Sequence, residues 1–390
     1  MSYRPTPPVL TPPVGGLGVL TGVLAAGPDL LEANAAMWAV VLAGGIGSRF
    51  WPLSGPRRPK QLLRLVGDAP MIAECIDRLA PLIPPERVLV VTSADIEAPI
   101  RSAIPGVPPM NVLVEPRPLG TAAAIALAAD VVMRRAGPDT VVCSMPADIA
   151  AAFPEGFRDT IRVTGALVAR EDAIGAIGAR PVRSDVGFGY LVPGEPLSAD
   201  HPVAIGGPGW VKRFVEKPTQ DTAQELIADG AWWHTGVALW RPRVMLDALH
   251  ARTPEVADAL GFLTGQQMER FFGEVRSVSI ERGLFERRVP LLLVPGDFGW
   301  DDVGTWASLR RARDLDDQGN GARGDVHFVD ASGNIVHAEH GDVVVYGLDN
   351  LLVVTVDGIT LVTSVDRASD LRPLLDRLPP DVRMLRDTDA

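Results

Sequence analysis

Between residues 38 and about 313, short apolar runs alternate with longer stretches of helical period, and this alternation restricts the fold more than any other feature. The runs at 38–43, 88–92 and 141–145 are too short for buried helices. Between them, Met71, Ile72, Cys75, Ile76, Leu79, Leu82 and Ile83 recur at helical spacing, and 121–135 reads as an alanine-rich helix. Strands that are apolar on both sides need cover on both faces, which crossover helices supply in a parallel sheet. The expected fold is therefore α/β, a doubly wound, mostly parallel, Rossmann-like sheet. The stretch from about 185 to 300 mixes short strands with helices at 219–228 and 243–251.

From about residue 320 the pattern changes to short strands at 326–329, 334–337, 343–346, 351–355 and 360–363. Turn pairs such as Ser332-Gly333, Gly341-Asp342, Asp349-Asn350 and Asp357-Gly358 divide them at near-regular spacing. A small C-terminal β domain built from a few β-helix coils is expected, closed by an amphipathic helix at 368–378. His327, His337 and His340 are expected to be exposed and scattered by strand alternation rather than gathered on a metal.

Residues 1–36 are rich in proline and glycine and read as a flexible, dispensable extension, with Met37 as an alternative start. Their apolar part is too short and too interrupted to span a bilayer, and they lack the charged start of a signal peptide. The organisation expected is 1–36, 37–313 and 314–390. The net charge of −11 leaves no whole-molecule field for nucleic acid or an anionic membrane, so an anionic ligand needs a local basic cluster. Cys75 and Cys143, the only cysteines, sit in apolar runs, as buried thiols in a reducing cytoplasm do. Only three lysines occur, Lys60, Lys212 and Lys217, against 34 arginines. An ammonium and a guanidinium are not interchangeable at a tight phosphate site. Lys60 and Lys217 are therefore candidates for function, while Lys212 reads as a solvated charge.

The first expected strand ends in Leu42-Ala43-Gly44-Gly45-Ile46-Gly47-Ser48-Arg49-Phe50-Trp51-Pro52-Leu53, followed by Pro59-Lys60-Gln61. Glycines let backbone N–H groups approach anionic oxygens, and Arg49 and Lys60 add the positive charge a polyphosphate needs. A bare strand-to-helix turn needs neither basic residue. The loop lacks the Gly-Lys-Ser/Thr of a Walker A sequence, and Phe50 stands where a dinucleotide fingerprint requires glycine.

This loop resembles the signature of sugar-1-phosphate nucleotidyltransferases, and Phe-Trp-Pro-Leu-Ser with Lys-Gln most resembles their mannose-1-phosphate guanylyltransferase branch. The resemblance continues in order to about residue 365. It implies a GT-A-like domain that joins GTP and mannose 1-phosphate into GDP-mannose and diphosphate. Leu42, Ala43, Gly44, Gly45, Gly47 and Ser48 would bind the nucleotide, with Arg49 and Lys60 on the pyrophosphate. The Glu115-Pro116 and Gly120-Thr121 segment would serve the base, with Thr121 capping its helix; an ordinary capped core helix is the other reading. Leu119 and Gly120 replace a frequent Arg-Asn pair.

Asp148, in Met145-Pro146-Ala147-Asp148, and Asp302, in Trp300-Asp301-Asp302-Val303-Gly304-Thr305-Trp306, would hold one Mg²⁺, each with a helix cap as its alternative reading. Ile149 stands where the family has histidine. Gly187-Phe188-Gly189-Tyr190 and Glu216-Lys217-Pro218 resemble sugar-binding segments, with Gly189 and Glu216 on the sugar and Lys217 on its phosphate. His234 replaces an asparagine that binds the sugar, and by itself reads equally as a core histidine. The resemblance admits a homo-oligomer through the C-terminal β domain. The chain ends before the isomerase domain of long members, so a single activity is expected. Another sugar 1-phosphate such as a heptose, another base, or a non-catalytic nucleotide-sugar sensor are the alternatives.

Overall fold

The computed structural model describes residues 36–45, 49–55, 58–198, 203 and 206–383. The expected extension at 1–36 (but for its last residue), together with Gly47 and Ser48, lies outside the described residues. Strands β1 (Trp38–Leu42), β2 (Val88–Ser93), β3 (Val112–Glu115) and β4 (Val142–Pro146) form a parallel half-sheet. After the short β5 (Ala150–Ala151) come β6 (Ile174–Ala179), β7 (Gly189–Pro196), β8 (Gly209–Glu216), β9 (Trp232–Trp240) and β10 (Leu291–Pro295). The nine-stranded order is β3-β2-β1-β4-β9-β6-β10-β8-β7, and only β8 and β9 run against the others.

The alternation along each strand assigns its two faces. Val40, Leu89 and Val91 pack with helix Thr121–Ala136 on one side. Ala39, Val41, Val88 and Val90 pack with helices Met71–Leu79 and Pro154–Arg170 on the other. Every residue from Ala122 to Val132 is buried, because alanine lets this helix lie close to the sheet and to helix Pro242–Arg252.

The C-terminal part is built as coils. β12 (Gly321–Arg323), β14 (Ile335–Ala338) and β16 (Leu351–Val356) stack in parallel, with Gly321 beside Ile335 and Ile335 beside Leu352. β13 (Val326–Val329) and β15 (Val343–Tyr346) form a second parallel face, and β17 (Ile359–Ser364) folds back antiparallel onto β16. At one corner Asn334 donates to the Asn320 side chain at 3.0 Å and accepts from Leu351 N at 2.9 Å.

Three expectations are corrected here. The closing helix at 368–378 is broken into a turn at Arg367–Ser369 and a short helix at Arg372–Leu375. Asp370 accepts from Arg372 N and Pro373 has no N–H to continue the first turn. The helix that Asp302 would cap in its alternative reading begins at Trp306, with Thr305 and Ser308 forming a capping box, so Asp302 is not its cap. His337 is buried, unlike the exposed His327 and His340. Its Nδ1 faces an Arg313 Nη at 2.9 Å, and burial followed by the charge of Arg313 pushes its pKa down to about 3. No helix among the described residues is long and apolar enough to cross a membrane.

Candidate active site

A two-lobed cleft opens at the carboxyl ends of β1, β3 and β4, where ligands of open α/β sheets bind. The smaller lobe, about 340 Å³, is mainly apolar and lined by Leu42, Gly44, Val91, Gly120, Thr121 and Ile125, with the carboxyl of Glu115. The larger, about 540 Å³, is the more polar of the two and includes Arg49, Lys60, Asp148, Gly189, Glu216 and Asp302. Gly45, Pro146, His234, Gly236 and Glu281 line both, and so form the joint.

The apolar lobe is made by strand ends and the start of one helix. Gly120 has φ +89°, and a Cβ there would fall 2.5 Å from Val278 O, so no larger residue fits this backbone. The neighbouring segment is fastened across the helix start: Val278 N donates to Leu119 O, and Ala122 N to Val278 O. Thr121 is not the cap: it is the first helical residue, and its Oγ1 accepts from Ile280 N at 2.8 Å. Glu115 ends β3 with one carboxylate oxygen buried and without a partner among the described residues, and burial pushes its pKa up to about 7. Ala43 is buried behind the lobe, its carbonyl accepting from Gln61 and Thr92.

The polar lobe is assembled from distant segments. Asp148 lies between β4 and β5, and Asp302 directly follows β11 (Trp300–Asp301). β5 and β11 pair, Ala151 beside Trp300 and Ala150 beside Asp301, and this small ribbon brings the two aspartates to one wall. Lys60 joins them: its buried ammonium donates to Asp148 O at 2.9 Å and Asp302 O at 2.7 Å, and meets Asp148 Oδ2 at 2.9 Å. All three N–H donors are thereby used. Burial, reinforced by Asp301, pushes the Asp302 pKa up to about 6, against the pull of Lys60. Asp301 points elsewhere, to Arg311 at 2.7 Å.

Around the far end, a Cβ on Gly189 would fall 2.5 Å from the Phe214 ring, so glycine is what allows β7 to lie against it. Glu216 carries the Lys217 ammonium at 3.0 Å, and its backbone N–H donates to Glu286. Lys217 does not line the cleft; it stands beside the rim, half-exposed, with φ +48°. His234 is wedged between Phe214 and Phe285, each ring 5.6 Å away. Burial pushes its pKa down to about 4, so it is neutral at pH 7, and its Nδ1 is buried without a partner among the described residues.

Sequence reasoning missed Glu281, Phe285 and the aromatic wall of Phe188, Trp233 and Trp300, whose rings lie 5.1–6.2 Å apart. Phe188 and Trp300 stood inside recognised motifs; Glu281 had no local signal, because its place depends on the crossing at Gly120.

The fold is that of a nucleotidyltransferase, and the chain belongs to the nucleotidyl transferase family, whose pattern matches residues 38–319. It is an enzyme of that class. Among curated proteins it is similar to the xanthan biosynthesis protein XanB of Xanthomonas campestris pv. campestris (strain B100), 31% identical over 350 residues, covering 87% of this chain and 72% of that one. It is 30% identical over 367 residues to a mannose-1-phosphate guanylyltransferase of Escherichia coli (strain K12), covering 90% and 75%. A solved structure from Thermus thermophilus, described as a mannose-1-phosphate geranyltransferase, superposes with a TM-score of 0.80 at 31% identity, covering 88% of this chain and 99% of that one.

Proposed function

We propose that the protein joins GTP and mannose 1-phosphate into GDP-mannose and diphosphate. The observation that carries this reading is the two-lobed cleft itself. An apolar slot that holds the buried Glu115 carboxyl adjoins a polar lobe where Lys60 draws Asp148 and Asp302 together. Glu115 in its ionised form is a bidentate acceptor for the two adjacent N–H donors of guanine, a pattern adenine, cytosine and uracil do not offer. The choice of mannose is supported by the named relatives.

The sugar phosphate is already an anionic nucleophile, so no general base is needed. Its oxygen bonds to the α-phosphorus as the bond from that phosphorus to the bridging oxygen breaks, and diphosphate leaves. Alignment and charge neutralisation supply the catalysis. Arg49, exposed at the lobe, faces the leaving diphosphate, and Lys60 keeps the aspartates in place while adding charge nearby. Asp148 and Asp302 fit Mg²⁺: their hard oxygens share one wall, and the desolvated Asp302 carboxyl is short of positive charge. When bound, Mg²⁺ neutralises phosphate charge. Glu216 in the lobe takes the sugar hydroxyls, Lys217 reaches the sugar phosphate from its place beside the rim, and Trp300 and Phe188 pack on the sugar's C–H face.

Diphosphate release measured over a panel of nucleoside triphosphates and sugar 1-phosphates tests this. GTP with mannose 1-phosphate should be the most efficient pair. Preference for another sugar would move the assignment to the reading that His234 favours, since an imidazole differs in reach from an amide. A homo-oligomer through the C-terminal coils is part of the proposal, supported by the exposed Val344 and Tyr346 on β15. A monomer in sedimentation would remove that part.

A further inference from the structure

The joint between the lobes contains two polar side chains, His234 and Glu281, set among Gly45, Pro146 and Gly236. Glu281 is half-buried and has no hydrogen-bond or ion-pair partner among the described residues. Its position is nonetheless rigidly made. It lies in the single turn Ile280–Gly283, whose cap Ser279 accepts from Arg282 N, and Ile280 N is tied to Thr121 Oγ1 at 2.8 Å. The preceding Val278 is fastened to Leu119 and Ala122, in the close crossing that Gly120 permits. The chain thus spends a glycine with positive φ and three hydrogen bonds to carry one unpaired carboxylate to the place where both lobes meet.

In a nucleotide, the part between base and phosphates is the ribose, and its recognition group is a vicinal diol. A carboxylate has two acceptor oxygens and no donor, which suits two adjacent hydroxyl donors. We infer that Glu281 is a specificity-determining residue that accepts hydrogen bonds from the ribose hydroxyls and so selects ribo- over deoxyribonucleoside triphosphates. This rests on the proposed placement of base and phosphates in the two lobes, but not on guanine or mannose. His234, neutral and buried against Phe214 and Phe285, would close the other side of the same joint.

The test is equilibrium binding and steady-state turnover of the full chain with GTP, 2′-deoxy-GTP and 3′-deoxy-GTP, for the wild type, Glu281→Ala and Glu281→Gln. Loss of a charge-assisted hydrogen bond should weaken at least one deoxy analogue by about tenfold to a hundredfold in the wild type. Glu281→Ala should erase that difference by weakening GTP alone, and Glu281→Gln, which keeps volume and one acceptor, should fall between. Wild-type protein that binds GTP and both analogues equally overturns the inference, without any variant having to fold. So does discrimination that survives in Glu281→Ala. Equal losses for all three nucleotides with a raised Mg²⁺ requirement would also overturn it, since they mark a metal or structural role. If GTP binds with this discrimination yet no sugar phosphate is converted, the proposed reaction fails and the ribose contact stands.

Discussion

The two lobes of the cleft are built by opposite strategies. The apolar lobe comes from consecutive strand ends and one helix start, and outside the joint Glu115 is its one charged side chain among the described residues, buried with an oxygen that has no partner among them. The polar lobe is drawn from segments near residues 49–60, 148, 187–189, 216 and 302, held by one ammonium and a two-residue ribbon. A shape-defined slot tolerates loss of a contact with loss of affinity. A convergent charged site loses its geometry when its tether is cut, and geometry is what phosphoryl transfer depends on.

Cutting that tether should have the largest effect. Lys60→Ala removes a charge and releases both aspartates, and kcat should fall by about a thousandfold, near 4 kcal/mol, while GTP still binds. Stopped-flow binding beside turnover decides it; parallel loss of both would merge the lobes into one unit. Asp148→Asn and Asp302→Asn come next, each lowering kcat by about 30- to 150-fold, or 2–3 kcal/mol, with an intact fold. Near-normal turnover at low Mg²⁺ in either variant would release that residue from the metal.

In the apolar lobe, Glu115→Gln should weaken GTP by about tenfold and leave kcat nearly unchanged. Binding to the wild type should strengthen as pH rises through about 7, where Glu115 ionises, and the variant should lose this dependence. Stability should move the other way. The folded pKa lies above the ordinary 4.5, so the folded state keeps a proton the unfolded chain has released, and stability is lost as pH rises from 4.5 through 7. At pH 8 Glu115→Gln should therefore be the more stable protein, by at most about 3 kcal/mol, with the gap closing below pH 4.5. A Tm difference independent of pH would contradict this.

The smallest effect is expected where the C-terminal coils brace the polar lobe. Arg58, two residues before Lys60, pairs with Glu339 of the coils, its Nη1 donating to Glu339 Oε2 at 3.0 Å. Glu339 also lies with His340 and Asp357 in a group whose donor atoms fall within 4.8 Å, but Arg58 already pairs with Glu339 and lies 4.0 Å from Asp357. Because Arg58 is about one-third exposed, Glu339→Gln should cost about 0.5–1 kcal/mol and shift KM for either substrate no more than a few-fold. A larger kcat effect would make the coils part of the polar lobe's machinery.

Much of this was legible in the residue order. The strands at 88–93 and 142–146 and the helix at 121–136 followed from periodicity, because burial on two faces repeats along the chain. The coils after residue 320 followed from evenly spaced turns. The closing helix failed because Asp370 and Pro373 compete locally with a pattern that is otherwise amphipathic. His337 was misplaced because strand alternation cannot tell which face of a coil meets a neighbour.

What the sequence determined alone was the parallel half-sheet, the alanine-rich helix and the inventory of charged groups, since each depends on residues a few positions apart. Only the tertiary structure decided which of those groups meet. Lys60 spans 88 and 242 positions to reach its two aspartates, and Glu281 reaches the joint through a crossing at Gly120. Such contacts are set by how packed layers come together, and no local spacing records it.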